Sequence, residues 1–205
     1  MTGLRAKQKL ARNTRILEVA AALFRKSGYE AVKIESIAEA SEVSIGTIYN
    51  YYKNKGDLLV AIVAMEVHEV LRAGEILLDK PPRDAVRAVN ALVDIYYKHS
   101  LVYLSKEMWR LALSISTQQP SSPFGLNYSA LDAALVMQSR TLIEKLQALE
   151  LVKKQTDAKA IGEVIFNNLN MMFFGFIKDE GMKLQKLRQL VHAQNRAILS
   201  PLVES

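Results

Sequence analysis

Apolar side chains recur along this chain at intervals of three and four residues, and no stretch alternates polar and apolar long enough to make a strand. That spacing predicts helices that each bury one face. Ile16, Val19, Ala20 and Leu23 predict a first helix over about 13–27, stopped by Gly28. Ile34, Ile37 and Ala38 predict a second, about two turns long. Ser41 and Glu42 interrupt it, Val43 supplies an apolar plug, and Ser44 stands where a side-chain oxygen can cap a third helix from Ile45.

The pattern then lengthens. Asn54 with Asp57 resembles a capping box and opens a fourth helix that reaches about residue 79, before Pro81-Pro82. Asp84 opens a fifth to about 99, with Ala85, Val89, Leu92 and Tyr96 in one stripe. A sixth over about 103–118 buries Leu104, Met108, Leu111 and Ile115, and a loop with Pro120, Pro123 and Gly125 follows. A seventh over about 128–150 carries Leu131, Leu135, Leu142 and Leu146, and two more cover about 157–178 and 183–199. The fold class expected is all-α, with about nine helices.

Composition narrows the function classes. Half of the 205 residues are hydrophobic, enough for one sizeable core or two modest ones. There is no cysteine, so no disulfide, thiol nucleophile or cysteine-based metal site is possible. Three histidines with no HExxH, no phosphate loop and no GxGxxG leave nothing with catalytic spacing, so neither an enzyme nor a cofactor or metal is expected. A secretory core and a run of about 18 apolar residues are both lacking, and the expectation is a cytoplasmic protein without a membrane partner.

The net charge of +6 is unevenly spread. Residues 1–55 hold ten Lys+Arg against five Asp+Glu, and residues 56–205 seventeen against sixteen. A basic excess confined to one small segment is the electrostatic footprint of DNA binding. Arg5, Lys7, Lys9, Arg12 and Arg15, with no acid among them, form either an arm along phosphates or in a minor groove, or a solvated tail.

The excess surrounds the two short helices of 34–55. Ile45, Gly46 and Thr47 open the second of these, and its amides and dipole favour an approaching polyanion. Ile48 and Tyr52 face the apolar side, whereas Tyr49, Asn50, Lys53 and Lys55 offer donors for phosphates or base edges.

From Gly28 to Leu59 the chain resembles the N-terminal domain of the TetR family of bacterial transcriptional regulators. The residues that carry the resemblance are Gly28-Tyr29, Ile37-Ala38, Val43-Ser44, Gly46-Thr47-Ile48-Tyr49, Tyr51-Tyr52, Lys55 and Leu58-Leu59. It implies phosphate contacts at Lys33, Ser44, Thr47, Tyr49 and Lys55, and base-facing positions at Ile45, Gly46 and Asn50. Three positions depart from the family pattern. Lys33 stands for a threonine and cannot cap, and Glu42 stands for a turn glycine, where a left-handed conformation costs roughly 1 kcal/mol. Ile45 stands for a polar or basic residue and reads only apolar features such as a thymine methyl.

Two domains are expected: residues 1–55 as a three-helix DNA-binding domain with its basic arm, and 56–205 as an effector-binding and dimerisation domain. The eighth helix is apolar almost all round and requires cover on every side. With the ninth it resembles the family's dimer-forming helix pair, which implies an interface at Phe166, Phe173, Ile177, Leu184, Leu187, Val191 and Ile198. The resemblance also implies a mostly apolar effector cavity in the body. Candidate wall residues are Met65, His68, Tyr96, His99, Met108, Trp109, Asn168 and Met171, with His68, His99 and Asn168 able to orient a polar group. The function expected is a ligand-responsive regulator, a homodimeric repressor on a palindromic double-stranded DNA operator, released by a small apolar or aromatic effector. The alternative is an architectural or activating DNA-binding protein without a small-molecule switch.

Overall fold

The helices begin where short polar side chains cap them. In the computed structural model, which describes residues 2–203, Asp84 accepts from the amide of Arg87 at 2.7 Å, Ser105 from that of Met108 at 3.2 Å, and Asp157 from that of Ala160 at 3.0 Å. Each satisfies a donor that the first helical turn leaves without an intrahelical partner. Among the described residues there are nine α-helices: α1 (Thr2–Ser27), α2 (Ile34–Ala40), α3 (Ile45–Tyr49), α4 (Lys55–Asp79), α5 (Ala85–His99), α6 (Lys106–Gln118), α7 (Pro123–Ala148), α8 (Ala158–Lys178) and α9 (Leu184–Leu199). A 3-10 turn, Ser200–Leu202, follows, and no named strand occurs among them.

Three boundaries differ from the sequence reading. The first helix starts at Thr2 rather than near residue 13, so the basic segment is helical. The sixth starts three residues late, where Ser105 caps it. The seventh starts at Pro123 rather than near 128. Proline is tolerated in a first helical turn, where its missing amide costs nothing, and the Ser122 hydroxyl accepts from the amide of Gly125 at 3.1 Å.

Two compact units share the chain: Met1–Glu66 with Leu101–Tyr128, and Val67–Ser100 with Ser129–Ser205. In the first, Ile16, Ala20 and Phe24 of α1 are buried, as are Ile37 of α2, Ile48 of α3, Leu58, Leu59 and Ile62 of α4, and Met108 of α6. The helix α6 thus belongs by its contacts with the N-terminal residues, although it lies beyond residue 56. Glu66 is buried, and its carboxylate accepts from the amide of Tyr103 at 3.0 Å.

Polar ties thread the second unit. The buried Gln138 of α7 accepts from the Tyr96 hydroxyl of α5 at 2.9 Å and donates to the carbonyl of Leu71 in α4 at 2.7 Å. Gly74 makes room for it, since a Cβ there would lie 2.1 Å from the Gln138 amide oxygen. Gly162 lets α8 approach α7, because its Cβ would lie 2.6 Å from the Arg140 Cα. By length and composition α8 is apolar enough to cross a membrane, contrary to the sequence reading. Seven of its residues, Leu169 and Phe176 among them, are nevertheless buried.

An ion cluster joins α5 to α9. Arg188 donates from Nε and Nη2 to both oxygens of Asp94, at 2.6 and 2.5 Å, and His192 Nε2 lies 2.9 Å from the same carboxylate. Burial pushes the Asp94 carboxyl up, but the Arg188 hydrogen bonds and the charge and hydrogen bond of His192 outweigh it and hold the group below its ordinary value of 3.8. A depressed folded value means that this carboxylate stabilises the fold above about pH 4 and ceases to do so as the pH falls through the folded value. Asp94→Asn should therefore lower the urea midpoint at pH 7, and the gap from the parent should narrow at pH 3. A gap of equal size at both pH values would show that the charge is not what matters.

Candidate nucleic-acid interface

The turn between α2 and α3 is held from both sides. The Ser41 hydroxyl, buried, donates to the carbonyl of Ile37 at 2.5 Å, and the amide of Val43 donates to that of Ala38 at 3.0 Å. Between them Glu42 takes a φ of 55°, the left-handed conformation that the sequence implies at a position where glycine would be free of strain. Its carboxylate pairs with Arg15 of α1 at 2.7 Å. Ser44 then caps α3, accepting from the amide of Thr47 at 3.0 Å and sharing a hydrogen bond with the Thr47 hydroxyl at 2.8 Å. Lys33 precedes α2 without a capping side-chain bond, as its chemistry requires.

With five residues, α3 is too short to be stable by itself. Ile48, fully buried, anchors one side. The other side is bare: Ile45 is 41% exposed and Tyr49 52%, and Gly46 and Asn50 are exposed beside them. The structure thus groups Ser44, Ile45, Gly46, Thr47, Tyr49 and Asn50 on or beside one short helix, with an isoleucine and a tyrosine facing solvent.

Lys55 behaves differently from the sequence reading. Its ammonium donates to the carbonyls of Tyr29 at 2.8 Å, Glu30 at 3.1 Å and Val32 at 3.4 Å, and lies 4.4 Å from the centroid of the Tyr29 ring. Those three carbonyls take up its donors, so the side chain is turned into the α1–α2 connection. The Tyr29 hydroxyl is pushed up to about 12, by burial first and by the Glu30 charge second. Tyr52 is also pushed up to about 12 by burial, partly offset by its 2.6 Å hydrogen bond to the Asn13 side chain and reinforced by Tyr51. Both phenols are neutral donors at any physiological pH.

Tyr51 and Tyr52 tie α1 to the segment that follows α3. The Tyr51 hydroxyl donates to the carbonyl of Lys9 at 3.4 Å, and the Lys9 ammonium lies 5.8 Å from the centroid of that ring. Beyond this tie a cleft of about 450 Å³ opens, walled by Arg5, Gln8, Lys9 and Arg12 on one side and by Thr47, Asn50 and Tyr51 on the other. Gln8 was not singled out from sequence, and Tyr51 only as part of the resemblance, with no role assigned. The signal that points to Gln8 is the 5, 8, 9, 12 spacing, one helical face, legible only once the segment is known to be helical.

The body residues expected at an effector site divide between the two units. Met65, Met108 and Trp109 lie in the first, and His68, Tyr96, His99, Asn168 and Met171 in the second. Asn168 donates to Gln194 of α9 at 3.0 Å, His99 lies 4.0 Å from Glu69, His68 is exposed, and Met171 is 66% exposed. Of the residues expected at a dimer face, Phe166, Phe173, Ile177, Leu187 and Val191 are buried inside the second unit, while Leu184 and Ile198 are half-buried. Tyr97 of α5 donates to the Leu169 carbonyl at 2.8 Å and stacks on the Phe173 ring, and α9 packs on α8 as well. The exposed large apolar side chains of α8 are Val164 and Met171.

Residues 16–62 match the family model described as bacterial regulatory proteins, tetR family. The transcriptional repressor KstR of Rhodococcus jostii (strain RHA1) is 41% identical over 64 residues, 31% of this chain and 30% of that protein. The chain thus spans under a third of the length of that relative. A fatty acid metabolism regulator protein of Bacillus subtilis (strain 168) is 21% identical over 165 residues, 80% of this chain and 82% of that one. Among solved structures, a tetR-family transcriptional regulator from Mesorhizobium loti MAFF303099 superposes with a TM-score of 0.75 at 17% identity, over 96% of this chain and 98% of that one, which establishes the fold.

Lys55→Met keeps the aliphatic stem and removes the ammonium, leaving three carbonyls without their donor. It should lower unfolding free energy by about 1–3 kcal/mol, measured by urea denaturation without DNA. An unchanged midpoint would return Lys55 to the role that the sequence assigned it.

Proposed function

We propose that this chain, which carries the N-terminal domain of the tetR family of bacterial regulatory proteins at residues 16–62, is a DNA-binding transcriptional regulator acting as a homodimeric repressor on a palindromic operator. The observation that carries the reading is the α3 surface. A capped, buried-backed single turn presents Ile45, Gly46, Tyr49 and Asn50 outward, and an isoleucine and a tyrosine so exposed have no packing reason to be there. Asn50 offers an amide for a base edge, Ile45 an apolar surface for a thymine methyl, and Tyr49 a hydroxyl for phosphate.

Two copies supply two such turns, which suits a palindrome and combines two weak contacts into one usable affinity. The face assigned to the second copy is the stripe Val164, Asn168, Met171 and Gly175, rather than the buried phenylalanines of the same helix. These residues follow helical spacing, and Gly175 is exposed with open space around it, which permits close backbone approach.

The effector is a small molecule of apolar character whose binding releases the operator. Fatty acids and fatty acyl thioesters are the first probes, because a relative aligned along most of the chain is a fatty acid metabolism regulator.

Selection from a random duplex library should enrich a palindrome. Tyr49→Ala should weaken binding to every duplex by about tenfold, a loss of roughly 1.4 kcal/mol, while Ile45→Ala should change the preferred base more than the affinity. Undiminished binding by Tyr49→Ala would defeat the assignment, and an operator complex indifferent to the whole acyl series would defeat the effector class. In sedimentation, Met171→Glu should yield folded monomers. A Met171→Glu protein that remains dimeric would move the interface elsewhere.

A further inference from the structure

The N-terminal half of α1 is a helix without a hydrophobic reason to exist. Residues 3–12 are all exposed, including Leu4 and Leu10 at 67% each, so no buried face stabilises these turns. Their electrostatics oppose helix formation as well. The first turn holds no acid, and the first acid in the chain is Glu18, so nothing offsets cations placed near the positive end of the helix dipole. Arg5 and Lys9 are four residues apart and Lys9 and Arg12 three, spacings at which like charges repel across one face. Turns so exposed, held only by continuity with the packed half of α1 and carrying such repulsion, fray readily in water.

That same face walls the cleft opposite Asn50 and Tyr51. One wall is cationic, and the other offers an amide, a phenol hydroxyl and the edge of α3. No carboxylate lines it. The tie between Tyr51 and Lys9 and the 2.6 Å bond from Tyr52 to Asn13 hold α1 against the segment that follows α3. A groove with three cations on one face and neutral donors on the other is complementary to a chain of phosphodiesters, whose charges would cancel the repulsion that frays those turns.

We infer that this cleft grips the sugar-phosphate backbone of one DNA strand beside the groove read by α3, and that phosphate occupancy is what holds residues 3–12 helical. The inference rests on the DNA-binding reading and extends it. The first three turns of α1 are a second contact element, independent of base identity, whose folding is coupled to binding. Arg5, Lys9 and Arg12 each supply one phosphate contact, whereas Lys7, exposed and outside the cleft, supplies none.

The test uses the full-length protein and the duplex enriched by selection, with Arg5→Gln, Lys9→Gln and Arg12→Gln compared against Lys7→Gln, which changes the net charge equally. Each cleft substitution should weaken binding about three- to tenfold near 0.1 M salt and reduce the slope of log affinity against log salt by about 0.9, the value for one lost phosphate contact. Lys7→Gln should leave the slope unchanged. Amide hydrogen exchange over residues 6–12 should slow on adding duplex to the parent and not to the combined Arg5→Gln, Lys9→Gln, Arg12→Gln protein. Equal effects at all four positions would reduce the cleft to general charge and overturn the inference, as would a parent whose amides are equally protected with and without DNA. In both of these results the parent still binds DNA, so they leave the DNA-binding reading standing. A parent that binds no duplex would remove both together.

Discussion

One ammonium organises the first unit. Lys55, the first residue of α4, gathers the carbonyls of Tyr29, Glu30 and Val32 and rests on the face of the Tyr29 ring. These carbonyls belong to the irregular stretch between α1 and α2, which has few partners of its own. By satisfying them from α4, the chain fixes where α2 begins, and through the Ser41 and Ser44 bonds it fixes α3 as well. A five-residue helix takes its position wholly from its surroundings, so the placement of the exposed Ile45 and Tyr49 traces back to contacts that touch neither.

The second unit solves a different problem. Its helices are long enough to be stable by packing, but apolar packing alone leaves register loosely defined. The Tyr96–Gln138–Leu71 chain and the Asp94–Arg188–His192 cluster each admit one arrangement of α5 with its neighbours, because displacing either strands a polar group. Gly74 and Gly162 supply the complementary restriction, since a side chain at either would collide with what it faces.

Much of this was legible in the sequence for a simple reason: caps and periodicity are local. Ser44, Asp84 and Asp157 announce their helices through chemistry that acts over three residues. The all-α class follows from the same spacing. What could not be read depends on distant partners. Nothing near Lys55 reveals that carbonyls more than twenty residues earlier will claim its ammonium. The helicity of the basic N-terminal segment has no apolar stripe to signal it. The faces of α8 were hard to tell apart for a related reason: an all-round apolar helix does not disclose which side its own chain covers, and Phe166, Phe173 and Ile177 lie on a covered side.

The chain also holds one tryptophan, Trp109, on α6. It is 8% exposed and belongs by its contacts to the unit that carries α3. The protein therefore has a built-in optical reporter confined to one of its two units. Its emission follows the packing around α6, while the second unit, which has tyrosines and phenylalanines but no indole, contributes nothing at the red edge of excitation. A ligand that shifts that emission without absorbing in its range has altered the surroundings of Trp109, wherever on the chain it binds.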